Sequence, residues 1–305
     1  MTAQLHDVLP SWRDGAARDA LLTFLEASTE VPEHERLACF DNDGTLWVER
    51  PDYVQLVFFV DALGRAVARD PDLRNRPEYA ALLDRDAAAM GDLGLPRIAV
   101  ALTELFEGVS PEVFTERVRE FMARARHPAL DRPLRTLVYQ PMLELVDELR
   151  RRSFSVAIVT GGGTEFVRAV SEQLYGVPPE AVVGTLIEYD YAGGDRPALR
   201  RTTRVVGGAN EGATKVVNIQ TQLGRRPVMA AGNTDGDTEM LAWVGSGDGP
   251  TLSLLVDHDD AEREFAYSGQ SVSLSGTEPV LDTARRLGWT VASIANDWDR
   301  VFPDG

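Results

Sequence analysis

One cysteine, one lysine and four histidines are all that 305 residues supply of three reactive side-chain types. A lone Cys39 cannot close an intramolecular disulfide; in its apolar run it reads as a small core residue, and a reducing cytoplasm is the expected compartment. The histidines, at positions 6, 34, 127 and 258, are too scattered for a zinc site. No run approaches the roughly 20 apolar residues that cross a bilayer, and Met1 to Gly15 lacks the apolar stretch of a secretory leader. Basic charge is also short: 31 Lys and Arg against 48 Asp and Glu leave a net −17, with no basic patch, which disfavours nucleic acid and anionic membranes as partners. A small molecule is the expected ligand, and self-association is left open.

What is present is a core. Hydrophobic residues make up 44% of the chain, enough for one large domain or two ordinary ones. Short apolar runs stop abruptly in polar or glycine-rich residues at Leu37 to Phe40, Ser155 to Val159, Val228 to Ala231 and Leu252 to Val256. Amphipathic stretches such as Met142 to Arg152 and Glu165 to Tyr175 lie among them, so the pattern predicts a doubly wound parallel α/β sheet. Ligands bind such sheets at the carboxyl ends of the strands. Two regions break the alternation. Residues 51 to 135 carry helical periodicity and no strand, which predicts an all-helical insert, residues 49–135, in a core made of 1–48 and 136–305. Val182 to Tyr189 and Arg200 to Val206 read as a hairpin appended to the core, or as a flexible loop.

The chemistry gathers at the strand ends. Asp41 and Asp43, two apart in extended backbone, project to one side, and two like charges there call for a cation. A carboxylate attacking phosphorus would form an aspartyl-phosphate, splitting one hard displacement into two easier ones, and Asp41 fits that role. Asp43, adjacent but offset, fits the acid that protonates the leaving group and later activates water. Thr160 precedes Gly161, Gly162 and Gly163 ahead of a predicted helix, where free N–H groups can hold phosphoryl oxygens; a flexible turn is the plainer reading. Lys215, the sole lysine, opens another helix, where a cation is disfavoured unless an anion faces it. Glu49, Arg50 and Tyr53 open the insert and are candidates for leaving-group contact. His258 and Asp257 end a strand, but Asp259 with Glu262 resembles the start of a capped helix.

Phe40-Asp41-Asn42-Asp43-Gly44-Thr45-Leu46, Ile158-Val159-Thr160-Gly161-Gly162, Lys215 and Gly232-Asn233-Thr234-Asp235-Gly236-Asp237 follow the order of the four motifs of the haloacid dehalogenase-like superfamily, and the whole chain fits. The insert resembles a class I cap, and the glycine-rich second motif resembles the phosphoserine-phosphatase-like branch. The resemblance implies a Mg²⁺-dependent phosphatase acting on a small phosphomonoester, with Asp41, Asp43, Thr160 and Lys215 catalytic and Gly161, Gly162 and Glu49 at the substrate. It implies that Asp43 lends the metal its backbone carbonyl, and that an acid at this position marks phosphohydrolases rather than dehalogenases. Asn233 stands where the superfamily usually has a metal-binding Asp, with Asp237 as the supporting acid; an inward-turned Asp235 is the alternative ligand. The metal set is thus Asp41, Asp43, Asn233 and Asp237. A phosphotransferase or mutase using the same intermediate, and a binding protein that has lost turnover, remain the rival readings.

Overall fold

Leu-Ala-Cys-Phe, the strand β1 (Leu37–Phe40), is buried on both faces. In the computed structural model, which describes residues 8–272, 274, 276 and 278–304, it lies at the centre of a seven-stranded sheet. The others are β2 (Ser155–Gly163), β3 (Val182–Ala192), β4 (Ala198–Val206), β5 (Met229–Gly232), β6 (Leu252–Asp257) and β7 (Thr290–Ser293), in the order β4-β3-β2-β1-β5-β6-β7. All neighbours are parallel except β3 and β4. Because side chains alternate along a strand, Ala38 and Phe40 join one hydrophobic cluster while Leu37 and Cys39 join the other, on opposite sheet faces.

Helices cover both faces. On one side lie α1 (Ala16–Ala27), the insert helices α2 (Val54–Arg69), α3 (Pro77–Asp84), α4 (Ala87–Leu93), α5 (Leu95–Glu104) and α6 (Pro111–Arg124), then α7 (Gln140–Arg151), α8 (Thr164–Arg168) and α9 (Ser171–Tyr175). The other face receives α10 (Ala213–Leu223), α11 (Thr238–Gly245) and α12 (Val280–Leu287) through Ile219, Met240, Leu241, Val244 and Ala284. The insert joins the core through a narrow neck in which Val48 N–H donates to Leu137 O at 3.0 Å and Tyr139 N–H to Leu46 O at 2.9 Å. Beyond the neck the two share one apolar cluster. Phe58 of α2 packs against Phe59, Phe106, Phe114 and Phe121 of the insert and against Phe166 of α8.

Several local expectations are corrected. The hairpin at 182–206 is not appended: β3 pairs with β2 through Ile158↔Val182 and continues the sheet, with β4 as its edge. The Thr160-Gly-Gly-Gly segment is not a turn; it stays extended to Gly163, which pairs with Thr185 after a register shift. The stretch 165–175 is two helices, divided at Val170 with its non-helical φ of −127°, and Arg119 Nε donates to the Ala169 carbonyl at the break, at 3.0 Å. Within the insert, Arg85 in left-handed backbone divides α3 from α4. Asp259 caps no helix; Asp260 instead closes a turn by accepting from Glu262 N and Arg263 N, each at 3.0 Å. His6 lies outside the described residues.

Candidate active site

Asp41 continues the ladder by one bond, its N–H donating to Ala231 O at 2.9 Å, and the chain then turns tightly. The Asn42 carbonyl accepts from the N–H groups of Thr45, Leu46 and Trp47, and Gly44 takes the positive φ of 76° that the turn requires. A β-carbon at Gly44 would fall on the Asn233 amide, 2.7 Å from its Cγ and 2.9 Å from Glu49 Cδ, so the glycine also makes room for side chains from two other segments. The turn holds Asp41 and Asp43 at the carboxyl edge of the sheet, where parallel sheets bind ligands.

Lys215 reaches this edge from the first turn of α10 and is buried. Its Nζ lies 2.6 Å from Asp41 Oδ1 and 2.6 Å from Asp237 Oδ1, an ammonium between two carboxylates. Burial opposes its charge, but Asp237 and Asp41 outweigh that and hold the ammonium above the usual lysine range. Asp41 is pushed well above the usual carboxylate range, by burial first and by Asp237 next, with Lys215 pulling the other way. Asp43 is raised too, by burial, against hydrogen bonds from Trp47, Asn42 and Thr160. Trp47 Nε1 donates to Asp43 Oδ1 at 2.9 Å, so this buried tryptophan also aims the acid.

Thr160 is wholly buried beside Asp43, and its Oγ1 accepts from Gly162 N at 3.0 Å. The Gly163 N–H is held by Gln55 Oε1 of α2 at 2.8 Å. Gln55 thus reaches from the insert across the glycine segment, a contact with no sequence signal, since a glutamine in a helix's first turn is ordinary. Asn210, also missed, donates to Thr160 O at 3.0 Å and Val183 O at 3.2 Å and ties the ends of β2 and β3 together.

After β5, Asn233 and Asp237 face the cluster and Asp235 does not. Asp235 accepts from Ser271 N at 2.5 Å and Gly276 N at 2.8 Å, which turns it away from the cluster. Asn233 is buried, with Oδ1 3.4 Å from Thr45 Oγ1, and that hydroxyl is 3.3 Å from Asp41 Oδ2. Asp237 uses Oδ1 for Lys215 and Oδ2 for the N–H groups of Asn233 and Thr234, at 3.0 and 3.1 Å, so it braces the loop. Glu49 is 1% exposed, its Oε1 accepts from Asn233 Nδ2 at 3.2 Å, and burial pushes its carboxyl up to about 7. His258 accompanies the site from behind: Nε2–H donates to the Gly44 carbonyl at 2.7 Å while Nδ1 lies 3.1 Å from Glu264.

The donor set suits a hard divalent cation. Asp41 Oδ2 and Asn233 Oδ1 converge on Thr45 Oγ1, all donors are oxygens, and the carboxylates of Asp41, Asp43 and Asp237 outnumber the one ammonium among them. Among the described residues no three His, Cys, Asp or Glu side chains form a metal cage by themselves, and the Asn233 oxygen lies where it could join the carboxylates as a further donor.

A model of the haloacid dehalogenase-like hydrolases matches residues 38–242, two thirds of the chain. No curated protein matches. Among solved structures the chain is similar to a protein with unknown function from Bordetella pertussis Tohama I, at 19% identity and TM-score 0.52, over 84% of this chain and 97% of that one. A conserved functionally unknown protein from Anaerococcus prevotii DSM 20548 is similar at 15% identity and TM-score 0.53, over 88% of each chain. A probable phosphoserine phosphatase from Vibrio cholerae aligns at 15% identity and TM-score 0.41, over 80% of this chain and 65% of that one. At these identities the first two likenesses speak for the fold.

Proposed function

The chain belongs to the haloacid dehalogenase-like hydrolases, and from that premise we propose that it hydrolyses a small phosphomonoester through a phosphoryl group carried on Asp41. The observation that carries this reading is the buried Lys215 ammonium 2.6 Å from Asp41, at the end of the central strand and beside Asp43. In the first step an Asp41 oxygen bonds to phosphorus, the ester P–O bond breaks, and Asp43 gives its proton to the departing alkoxide. Burial favours the protonated Asp43 that this step needs. In the second step Asp43 takes a proton from water, the water oxygen bonds to phosphorus, and the Asp41–phosphorus bond breaks to release inorganic phosphate.

A phosphomonoester brings about −2 near neutral pH, by analogy with protein phosphoesters, and Asp41 adds −1. Lys215 offsets part of that charge as it builds on the transferring group. A Mg²⁺ ion held by Asp41, Asn233 and the Asp43 carbonyl would supply two further positive charges. Thr160 and the Gly162 N–H would exchange their mutual hydrogen bond for phosphoryl oxygens, and Gln55 reaches over them from the insert. Asp43 favours hydrolysis over halide release, which has no use for an acid there.

The test is phosphate release from a generic aryl phosphate by the purified protein. Release with Mg²⁺ and none with EDTA is expected; equal release in both would overturn the cation's part in the reading.

A further inference from the structure

The departure at position 233 poses a problem that the structure itself answers. An asparagine carries no charge, and its amide has two ends of nearly equal size, only one of which can ligate a cation. An N–H₂ end turned toward Asp41 would repel the ion. We propose that Glu49 is a positioning residue that fixes the Asn233 amide with its oxygen toward Asp41, and returns to this corner of the site the negative charge that asparagine lacks.

Ionised beside the Arg50 guanidinium, Glu49 only accepts hydrogen bonds, so the amide end facing it is the nitrogen; Glu49 Oε1 lies 3.2 Å from Asn233 Nδ2. The oxygen is thereby directed to the Thr45 hydroxyl that also reaches Asp41. Both partners are nearly sealed from water, at 1% and 2% exposure, so no solvent competes for the amide. They meet over the bare Cα of Gly44, where a β-carbon would strike both. The Asn233 backbone is held separately, by Asp237 Oδ2 at 3.0 Å. Glu49 is itself flanked by Arg50, 3.9 Å away, whose guanidinium sits 4.4 Å over the Tyr267 ring. A hydrogen-bonded partner behind a ligand sets its orientation and strengthens its donor atom. Glu49 therefore faces the cation site through Asn233, which differs from the leaving-group contact expected for it from sequence.

The inference rests on the cation reading above, and the test separates the two. Mn²⁺ and Mg²⁺ affinities are measured by calorimetry on the full chain without substrate, for wild type, Glu49→Ala, Glu49→Gln, Asn233→Asp and the Asn233→Asp/Glu49→Gln double variant, each checked for folding by circular dichroism. Glu49→Ala should weaken Mn²⁺ binding by about tenfold or more. Glu49→Gln, which keeps an acceptor but loses the charge and can present either end, should fall between. Asn233→Asp alone should bind no better than wild type, because its new carboxylate meets Glu49, whereas the double variant should recover wild-type affinity or exceed it. Unchanged Mn²⁺ affinity in the folded Glu49→Gln variant, or Asn233→Asp binding tightly with no gain from the second change, would overturn the proposal. A Glu49→Ala effect confined to KM would return Glu49 to the substrate side. If wild type itself binds neither ion, the cation reading fails and this inference with it.

Discussion

Replacing Lys215 by Met removes the buried ammonium of the site while keeping most of the side chain's length. At an effective dielectric near 20, each ammonium–carboxylate contact at 2.6 Å is worth about 6 kcal/mol of attraction. Most of this is offset by stripping water from the three groups, and the loss on breaking such a buried pair is about 3–5 kcal/mol. The pH dependence follows from which state holds protons. In wild type the lysine's folded value is raised, so its contribution is complete at neutral pH and lost only in strong alkali. Without it, Asp41 and Asp237 face each other across a dry gap, and the folded variant takes up a proton that the unfolded chain, with an ordinary aspartate near 3.8, releases. The stability deficit should therefore be full at pH 8 and shrink as pH falls toward 5. Urea unfolding followed by tryptophan fluorescence, in EDTA at both pH values, measures it. Turnover should drop by about 10²–10³. An equal deficit at the two pH values, or none, would refute the reasoning.

Two other substitutions probe the frame around the site. Gly44→Ala forces a side chain into left-handed backbone, at about 1–2 kcal/mol, and onto the Asn233 amide; a folded protein with a lowered Tm and no cation-dependent turnover is expected, and normal turnover would mean the turn does not position the site. Phe58→Ala should cost about 3–5 kcal/mol and lower one cooperative calorimetric transition, because its ring touches both the insert and Phe166 of the core; a separate early transition of the insert, with the main one unmoved, would contradict that shared packing.

The strands were readable because Leu37 to Phe40 and Leu252 to Val256 are apolar on both faces and end where the polar residues begin, a local pattern with one physical meaning. Lys215 stood out as the only lysine, and the fold buries its ammonium between two carboxylates. What stayed hidden depends on distant partners. The glycines at 161–163 look like a turn in isolation, yet pairing with β3 keeps them extended. The helix break near Ala169 is met by Arg119, fifty residues earlier. Gln55, Asn210 and the His258–Glu264 pair act through contacts that no spacing rule announces. Between Asn233 and Asp235 the sequence favoured Asn233 through its spacing to Asp237, and the N–H groups of Ser271 and Gly276, which hold Asp235, draw it out of the cluster.

The most direct test of Asp41 as the nucleophile is to mix the protein with a phosphomonoester and Mg²⁺, quench in acid during turnover, and map the added phosphoryl mass by peptide mass spectrometry. The adduct should fall on Asp41 and be absent, along with turnover, in a folded Asp41→Asn variant. A phosphoryl group on any other residue, or turnover that survives Asp41→Asn, would contradict the account.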